Sequence, residues 1–177
     1  MMLLEKIEKY STEFEAEKAY KERFIELITH NSNCYSRESL AGHITASAFI
    51  FDKNLRKVLL IHHKKLAKWL QPGGHCDGDK DVFFVAKKEV WEETGLKDCI
   101  SDGEIFDLDI HIIPERKGVP EHEHFDIRYL FFADSNIPLI KNHETIDLKW
   151  IDILKIRDYS SEKSILRMVE KLLNSEY

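Results

Sequence analysis

Glu89, Glu92 and Glu93 stand three and four residues apart in the stretch Lys88-Glu89-Val90-Trp91-Glu92-Glu93-Thr94-Gly95-Leu96. On an α-helix, residues at that spacing share a face, and these three carboxylates fall within an arc of roughly 100°. Like charges that close repel and weaken an isolated helix. A hard divalent cation among them reverses that balance, because Mg²⁺ and Mn²⁺ take carboxylate oxygens as ligands. On the same helical wheel Val82, Ala86 and Val90 form the apolar face, and Glu89 and Glu93 point almost as Val82 does. Carboxylates that border a core are costly unless something neutralises them. An ordinary solvated acidic face is the alternative for a lone Glu-x-x-Glu-Glu. The flanking glycines turn the balance toward a metal site for phosphate chemistry. Gly73-Gly74, after Pro72, permits close backbone approach, and Gly95 is a helix stop of the expected type.

The elements that must position these groups can be read along the chain. A helix is expected over 81–94, capped by Asp79. Residues 3–30 have helical character, with apolar positions scattered among Glu and Lys, and are too short to be stable alone. They are expected as an N-terminal helical extension, residues 1–40, packed on a main domain of residues 41–177. Strand-like runs cover 44–51 and 57–62, with Asp52-Lys53-Asn54 as their turn. Two more, 105–113 and 125–133, are joined by 114–123, a short strand surrounds Trp150, and a closing helix covers 162–173. Mixed strands with few helices predict an α/β (α+β) chain built as an α-β-α sandwich.

The segment from Gly73 to Leu96 resembles the signature box of the Nudix hydrolases, which split nucleoside diphosphates linked to another moiety. That box reads Gly, five residues, Glu, seven residues, Arg-Glu, an aliphatic, any residue, Glu-Glu, any residue, Gly, an aliphatic. Gly74, Glu89, Val90, Glu92, Glu93, Gly95 and Leu96 match in register. Two positions depart, with Lys80 where the family has Glu and Lys88 where it has Arg. Gly42-His43-Ile44-Thr45-Ala46-Ser47 and Trp69-Leu70-Gln71-Pro72 also resemble members of the family, so the likeness covers everything after about residue 40. It implies the Nudix sandwich with a mixed sheet.

The resemblance also implies site roles. Glu89, Glu92, Glu93 and the Gly73 carbonyl would hold Mg²⁺ or Mn²⁺. Lys88 takes the place of the arginine that orients the first glutamate by a planar fork. A lysine offers only a point contact there. Glu144, before Trp150, occupies a region where family members often carry a further acid acting as ligand or base. The expected chemistry is attack of water on phosphorus, with the cation offsetting charge that grows on the bridging oxygen. Glu89 and Glu144 both remain open as the proton acceptor.

Substrate contacts are expected beyond the box. Alternation puts Asp107, Asp109 and His111 on one strand face and Phe106, Leu108, Ile110 and Ile112 on the other. In the next strand His122, His124, Asp126 and Arg128 share a face, and antiparallel pairing would merge the two polar rows. Such a row can bind phosphate, ribose or a metal's outer shell, or can be a solvated face of ion pairs. His122-x-His124 as a zinc site lacks a suitably spaced cysteine. His75 follows the glycines directly, and Trp69 can stack on a base or simply pack. His62-His63-Lys64-Lys65 and Lys68 can meet phosphates or solvent.

Composition bounds the rest. A chain of 177 residues with 43% hydrophobic content is long enough for one real core. A net charge of −6 argues against broad binding to nucleic-acid polymers or membranes, while a small nucleotide-derived substrate remains compatible. There is no apolar run of about 18 residues to span a membrane, and the first ten residues lack a signal-peptide core. Cys34, Cys76 and Cys99 lack Cys-x-x-Cys spacing, so reduced thiols in the cytoplasm are expected. A homodimer stays open. The alternative to a hydrolase is a Nudix-like nucleotide-binding module, favoured by Lys80 and Lys88. A third reading makes the chain chiefly an interaction protein through its N-terminal helices.

Overall fold

The computed structural model describes residues 2–116 and 118–175. Met1, Lys117 within the expected 114–123 connection, and residues 176–177 lie outside the described residues. The elements in chain order are helices α1 (Leu3–Lys9) and α2 (Glu15–His30), then strands β1 (His43–Asp52), β2 (Lys57–His63), β3 (Lys68–Leu70) and β4 (Gly73–His75). Helix α3 (Val82–Thr94) follows, then β5 (Ile105–Ile113), β6 (His122–Phe132) and β7 (Thr145–Asp152). A 3₁₀ turn at Ile153–Asp158 leads into α4 (Lys163–Asn174).

Among the described residues one mixed seven-stranded sheet runs β3-β2-β1-β6-β5, with β7 on β2 and β4 on β1. The pair β1–β6 is parallel, whereas β1–β2, β1–β4 and β5–β6 are antiparallel. Ile44, Ala46 and Ala48 of β1 pack with Ile7, Phe24 and Leu27 of the first two helices and with Val82, Ala86 and Val90 of α3. On the other sheet face, Phe49 and Phe51 meet Ile165, Met168, Val169 and Leu172 of α4. Helices thus cover both faces, and the expected α-β-α sandwich is present.

Three details differ from the expectations. The cap of α3 is Asp81, whose side chain accepts from Phe84 N at 3.0 Å, while Asp79 accepts from Asp81 N at 2.9 Å. The helix begins at Val82, so only the residue just before it can reach the first free amides. Phe106 does not join Leu108 and Ile110 in the α1–α3 core. A bulge between Ile105 and Asp107 shifts the register, and Phe106 stacks on Phe49 with ring centroids 6.1 Å apart. Strands β3 and β4 were not expected, because three residues are too few to show a period.

The N-terminal helices share the main core and close its edge. Glu17, fully buried, accepts from the amide of Leu108 on edge strand β5 at 3.0 Å. It also accepts from Tyr10 Oη, Thr12 Oγ1 and Lys171 Nζ, each at 2.6 Å. Burial alone would push its carboxyl up, but the hydrogen bonds from Lys171, Thr12 and Tyr10 hold it below the ordinary value. Helices from the two ends of the chain therefore meet around the open edge of the sheet.

Candidate active site

Strand β4 and helix α3 build the site together. The amide of Gly73 donates to Glu93 Oε2 at 2.9 Å. Glu89 rests on the bare face of Gly74, where a Cβ would stand 2.5 Å from Glu89 Oε1 and 2.6 Å from its Cδ and push the carboxylate aside. The two glycines make β4 a backbone wall against which two of the box carboxylates rest. At the far end of α3, Gly95 adopts φ 78° and its amide closes the helix on Trp91 O at 2.9 Å.

Glu93 is only 5% exposed. Burial pushes its carboxyl up to about 8 despite the Gly73 amide, and the charges of Glu89, Glu144 and Glu92 add to the rise. Burial, then the charge of Glu92, pushes Glu89 up as well, with Glu144 contributing. Glu144, in the turn before β7, is the source of that charge on both groups. Its own carboxyl is held below the ordinary value by the hydrogen bond from Lys65, at 2.7 Å. Glu92 is exposed at the rim.

The two departures from the box have a visible consequence. Lys88 Nζ lies 3.5 Å from Glu92 Oε1, so it leans on the rim glutamate and leaves Glu89 to the Gly74 wall. Lys80 is exposed on the turn before α3. Glu89 and Glu93 beside bare backbone, with Glu92 at the rim, offer hard oxygen donors, which fit Mg²⁺ or Mn²⁺ and not a soft ion.

The expected substrate residues fall elsewhere. Arg128, 2% exposed, is spent on three aspartates: Asp126 at 2.7 Å, Asp109 at 3.1 Å and Asp107 at 3.4 Å. It is not available to a ligand. The polar rows of β5 and β6 do merge as the alternation implied, but α4 covers the end that holds Asp107, Asp109 and Arg128. Arg167 reaches Asp107 at 2.7 Å and Asp109 at 3.2 Å, and Lys171 reaches Asp107 at 2.9 Å. The outcome is a buried ion network, neither a phosphate site nor a solvated face. Glu17, Arg167 and Lys171 went unnoticed because their charges lie on helices distant in sequence. Trp69 stacks on His62 at 5.0 Å and meets Tyr159 edge-on at 5.7 Å, which is packing. Lys65 is taken up by Glu144, and Lys68 pairs with Glu162 at 2.7 Å.

His75, His122 and His124 come together with one another and with His43, which had not been singled out as a site residue. Burial lowers His75 to about 4, with the Arg37 charge adding to it. Burial, then the charge of His75, lowers His124 to about 2. The signal for His43 was present in His43-Ile44-Thr45-Ala46-Ser47, where polar residues alternate through a buried strand.

Comparison with known proteins agrees with this geometry. The model of the NUDIX domain matches residues 42–171, and the chain belongs to the Nudix family. Nucleoside diphosphate-linked moiety X motif 6 of Homo sapiens is 38% identical over 50 residues, 27% of this chain and 16% of that protein. The match thus spans about a sixth of that relative's length. The dihydroneopterin triphosphate pyrophosphohydrolase of E. coli superposes with a TM-score of 0.61 at 14% identity, covering 75% of this chain and 96% of that one. A NUDIX-family hydrolase from Clostridium perfringens gives 0.55 at 26% identity, covering 75% of this chain and 98% of that one. No helix among the described residues is long and apolar enough to cross a membrane.

Proposed function

We propose that the chain is a divalent-metal-dependent hydrolase that cleaves a phosphoanhydride bond in a nucleoside diphosphate linked to another moiety. The observation that carries this reading is the bond from Gly73 N–H to Glu93, set beside the bare face of Gly74 against Glu89. Together they hold two of the three carboxylates of α3, Glu89 and Glu93, against one stretch of backbone.

Glu89, Glu92, Glu93 and the backbone of Gly73 would hold Mg²⁺ or Mn²⁺. Bound there, the ion supplies Lewis-acid stabilisation of the charge that develops on the phosphoryl and bridging oxygens. The chain's own residues do the rest. Gly73 fixes the rotamer of Glu93, and the wall at Gly74 fixes Glu89. Glu93, pushed up to about 8 by burial, would have to lose its proton to serve as a ligand. Glu89 and Glu144 are the two candidates for proton acceptor, and the hydrogen bond from Lys65 holds Glu144 below its ordinary value. Residues 41–177 make up the catalytic domain, with 1–40 as a helical extension serving its core.

The test is release of phosphate and nucleotide from a panel of nucleoside diphosphate derivatives, with Mg²⁺, with Mn²⁺ and with chelator. Metal-dependent cleavage of one class is expected and identifies the substrate. Nucleotide binding with no turnover under any condition would replace this reading with a nucleotide-binding module, as Lys80 and Lys88 would then indicate.

A further inference from the structure

We infer that the chain carries a second metal site, a histidine seat for a late first-row transition ion such as Zn²⁺, formed by His43, His75 and His124. One ligand nitrogen from each lies within 4.8 Å of the others. The sheet register brings them together. His43 stands beside His124 in the parallel β1–β6 pair, and His75 sits on β4 opposite Thr45, two residues along β1. Their ring centroids are 4.7 Å (His43–His124), 4.9 Å (His75–His124) and 5.2 Å (His43–His75) apart. A tetrahedral ion with Zn–N bonds of about 2.0–2.1 Å holds nitrogens about 3.3 Å apart. Small side-chain rotations within a rotamer well close the difference.

Proximity is not the only pointer. His43 is 1% exposed, and its Nδ1 lies 3.2 Å from the Ser39 carbonyl. A carbonyl only accepts, so the proton sits on Nδ1 and Nε2 is left as a lone pair. That Nε2 is buried with no hydrogen-bond partner, and so is Nε2 of His124. Leaving a buried polar atom unsatisfied costs about 1–3 kcal/mol. Two such atoms in one cluster of imidazoles are what a cation relieves, and a carbonyl on the far nitrogen is the usual outer partner of a metal-bound histidine.

A fourth ligand is at hand. The ring of His122 is 5.0 Å from that of His43, and its Nδ1 faces the Pro120 carbonyl at 2.8 Å. The ring of His111 is 5.4 Å from that of His124, and its Nδ1 faces Asp109 Oδ2 at 3.2 Å.

The seat is separate from the carboxylates of α3. Along β4 the Cβ direction of Gly74 meets Glu89, while that of Gly73 meets Ser47. Side chains alternate in a strand, so His75 shares the Ser47 side and the histidines lie across β4 from Glu89. Imidazoles prefer Zn²⁺, Co²⁺ or Ni²⁺ over Mg²⁺, so with Mg²⁺ in excess on the carboxylates the histidines remain open to the transition ion. An ion here ties the short strand β4 to β1 and β6, steadying the segment that carries Gly73 and Gly74.

The experiment uses the full chain without a histidine tag, stripped with chelator and titrated with Co²⁺ as an optical probe. Binding of one Co²⁺ per chain is expected, with the visible bands of a four-coordinate nitrogen-rich site, displaced by Zn²⁺ and untouched by excess Mg²⁺. X-ray absorption of the Zn²⁺ form should show at least three imidazoles at about 2.0 Å. His43→Gln and His124→Gln should each weaken Co²⁺ on the order of 100-fold, while Glu93→Gln should leave it unchanged. Absence of Co²⁺ and Zn²⁺ binding, or an oxygen-only shell, would overturn the proposal. So would Co²⁺ binding that disappears in Glu93→Gln and persists in both histidine variants. Should a histidine variant fail to fold, the absorption spectrum of the wild-type protein decides alone.

Discussion

Gly73 and Glu93, twenty residues apart, are joined by an amide-to-carboxyl hydrogen bond of 2.9 Å. This bond locks the start of β4 to the last turn of α3 and fixes one side of the candidate metal site. Its partner contact, the backbone of Gly74 against the Glu89 carboxylate, fixes the other. Both depend on a strand of three residues, which β1 holds in register through Ser47 opposite Gly73 and Thr45 opposite His75.

Glu93→Gln should abolish metal-dependent turnover, by a factor of about 10³ or more, since it removes a ligand whose charge acts in the transition state. The fold should survive. Glutamine keeps the size and an acceptor for the Gly73 amide, and it removes the desolvation cost that raises the carboxyl to about 8. Thermal melting and steady-state turnover measured on one preparation check both halves, and a variant with near wild-type rates would remove the argument for a metal site here.

Gly74→Ala should damage turnover more than stability. The added methyl meets the end of a flexible side chain, so Glu89 swings aside at a cost expected to stay under about 1 kcal/mol. Losing its position should lower turnover by about 10- to 100-fold. A large loss of stability with an unchanged rate per folded molecule would show that Glu89 does not need that wall.

Glu17→Gln should destabilise the whole molecule. It breaks the buried pair with Lys171, whose ammonium keeps Asp107 as its partner, a change costing about 1–3 kcal/mol. Denaturant unfolding would show a lower midpoint with an unchanged slope. An unchanged midpoint would mean that the helices at the two chain ends do not clasp the β5 edge in solution.

Acid should unfold the protein through the same network. Burial works against ionisation of Glu17 and Asp109, but hydrogen bonds from Lys171 to Glu17, and the Arg128 charge on Asp109, hold both below their ordinary values. Groups whose folded pKa is depressed stabilise the fold above the unfolded carboxylate range of about 3.9–4.3, and that contribution fades as pH falls below it. The contribution of these two groups to melting temperature should therefore be complete above about pH 6 and drop steeply below about pH 4.5. In Glu17→Gln the drop should be shallower, and an identical slope in both proteins would exclude Glu17 from the linkage.

The sheet and the box were legible in the sequence because their causes are local. Strands over 44–51 and 57–62, the helix carrying Glu89, Glu92 and Glu93, and the stop at Gly95 follow from periodicities of two and 3.6 and from glycine chemistry. The bare wall at Gly74 was implicit in Gly73-Gly74, though the group it faces was not. Tertiary structure alone decided the rest. Alternation placed Asp109, Asp126 and Arg128 on one face, but only the arrival of Arg167 and Lys171 from α4 turned that face into a buried network. The cluster of His43, His75 and His124 depends on a parallel register between β1 and β6, set by connections of many residues rather than by any neighbour in the chain. Spacing along a chain determines which groups share a face of one element. Which faces then meet is determined by non-local packing, and that information lies in no single stretch of sequence.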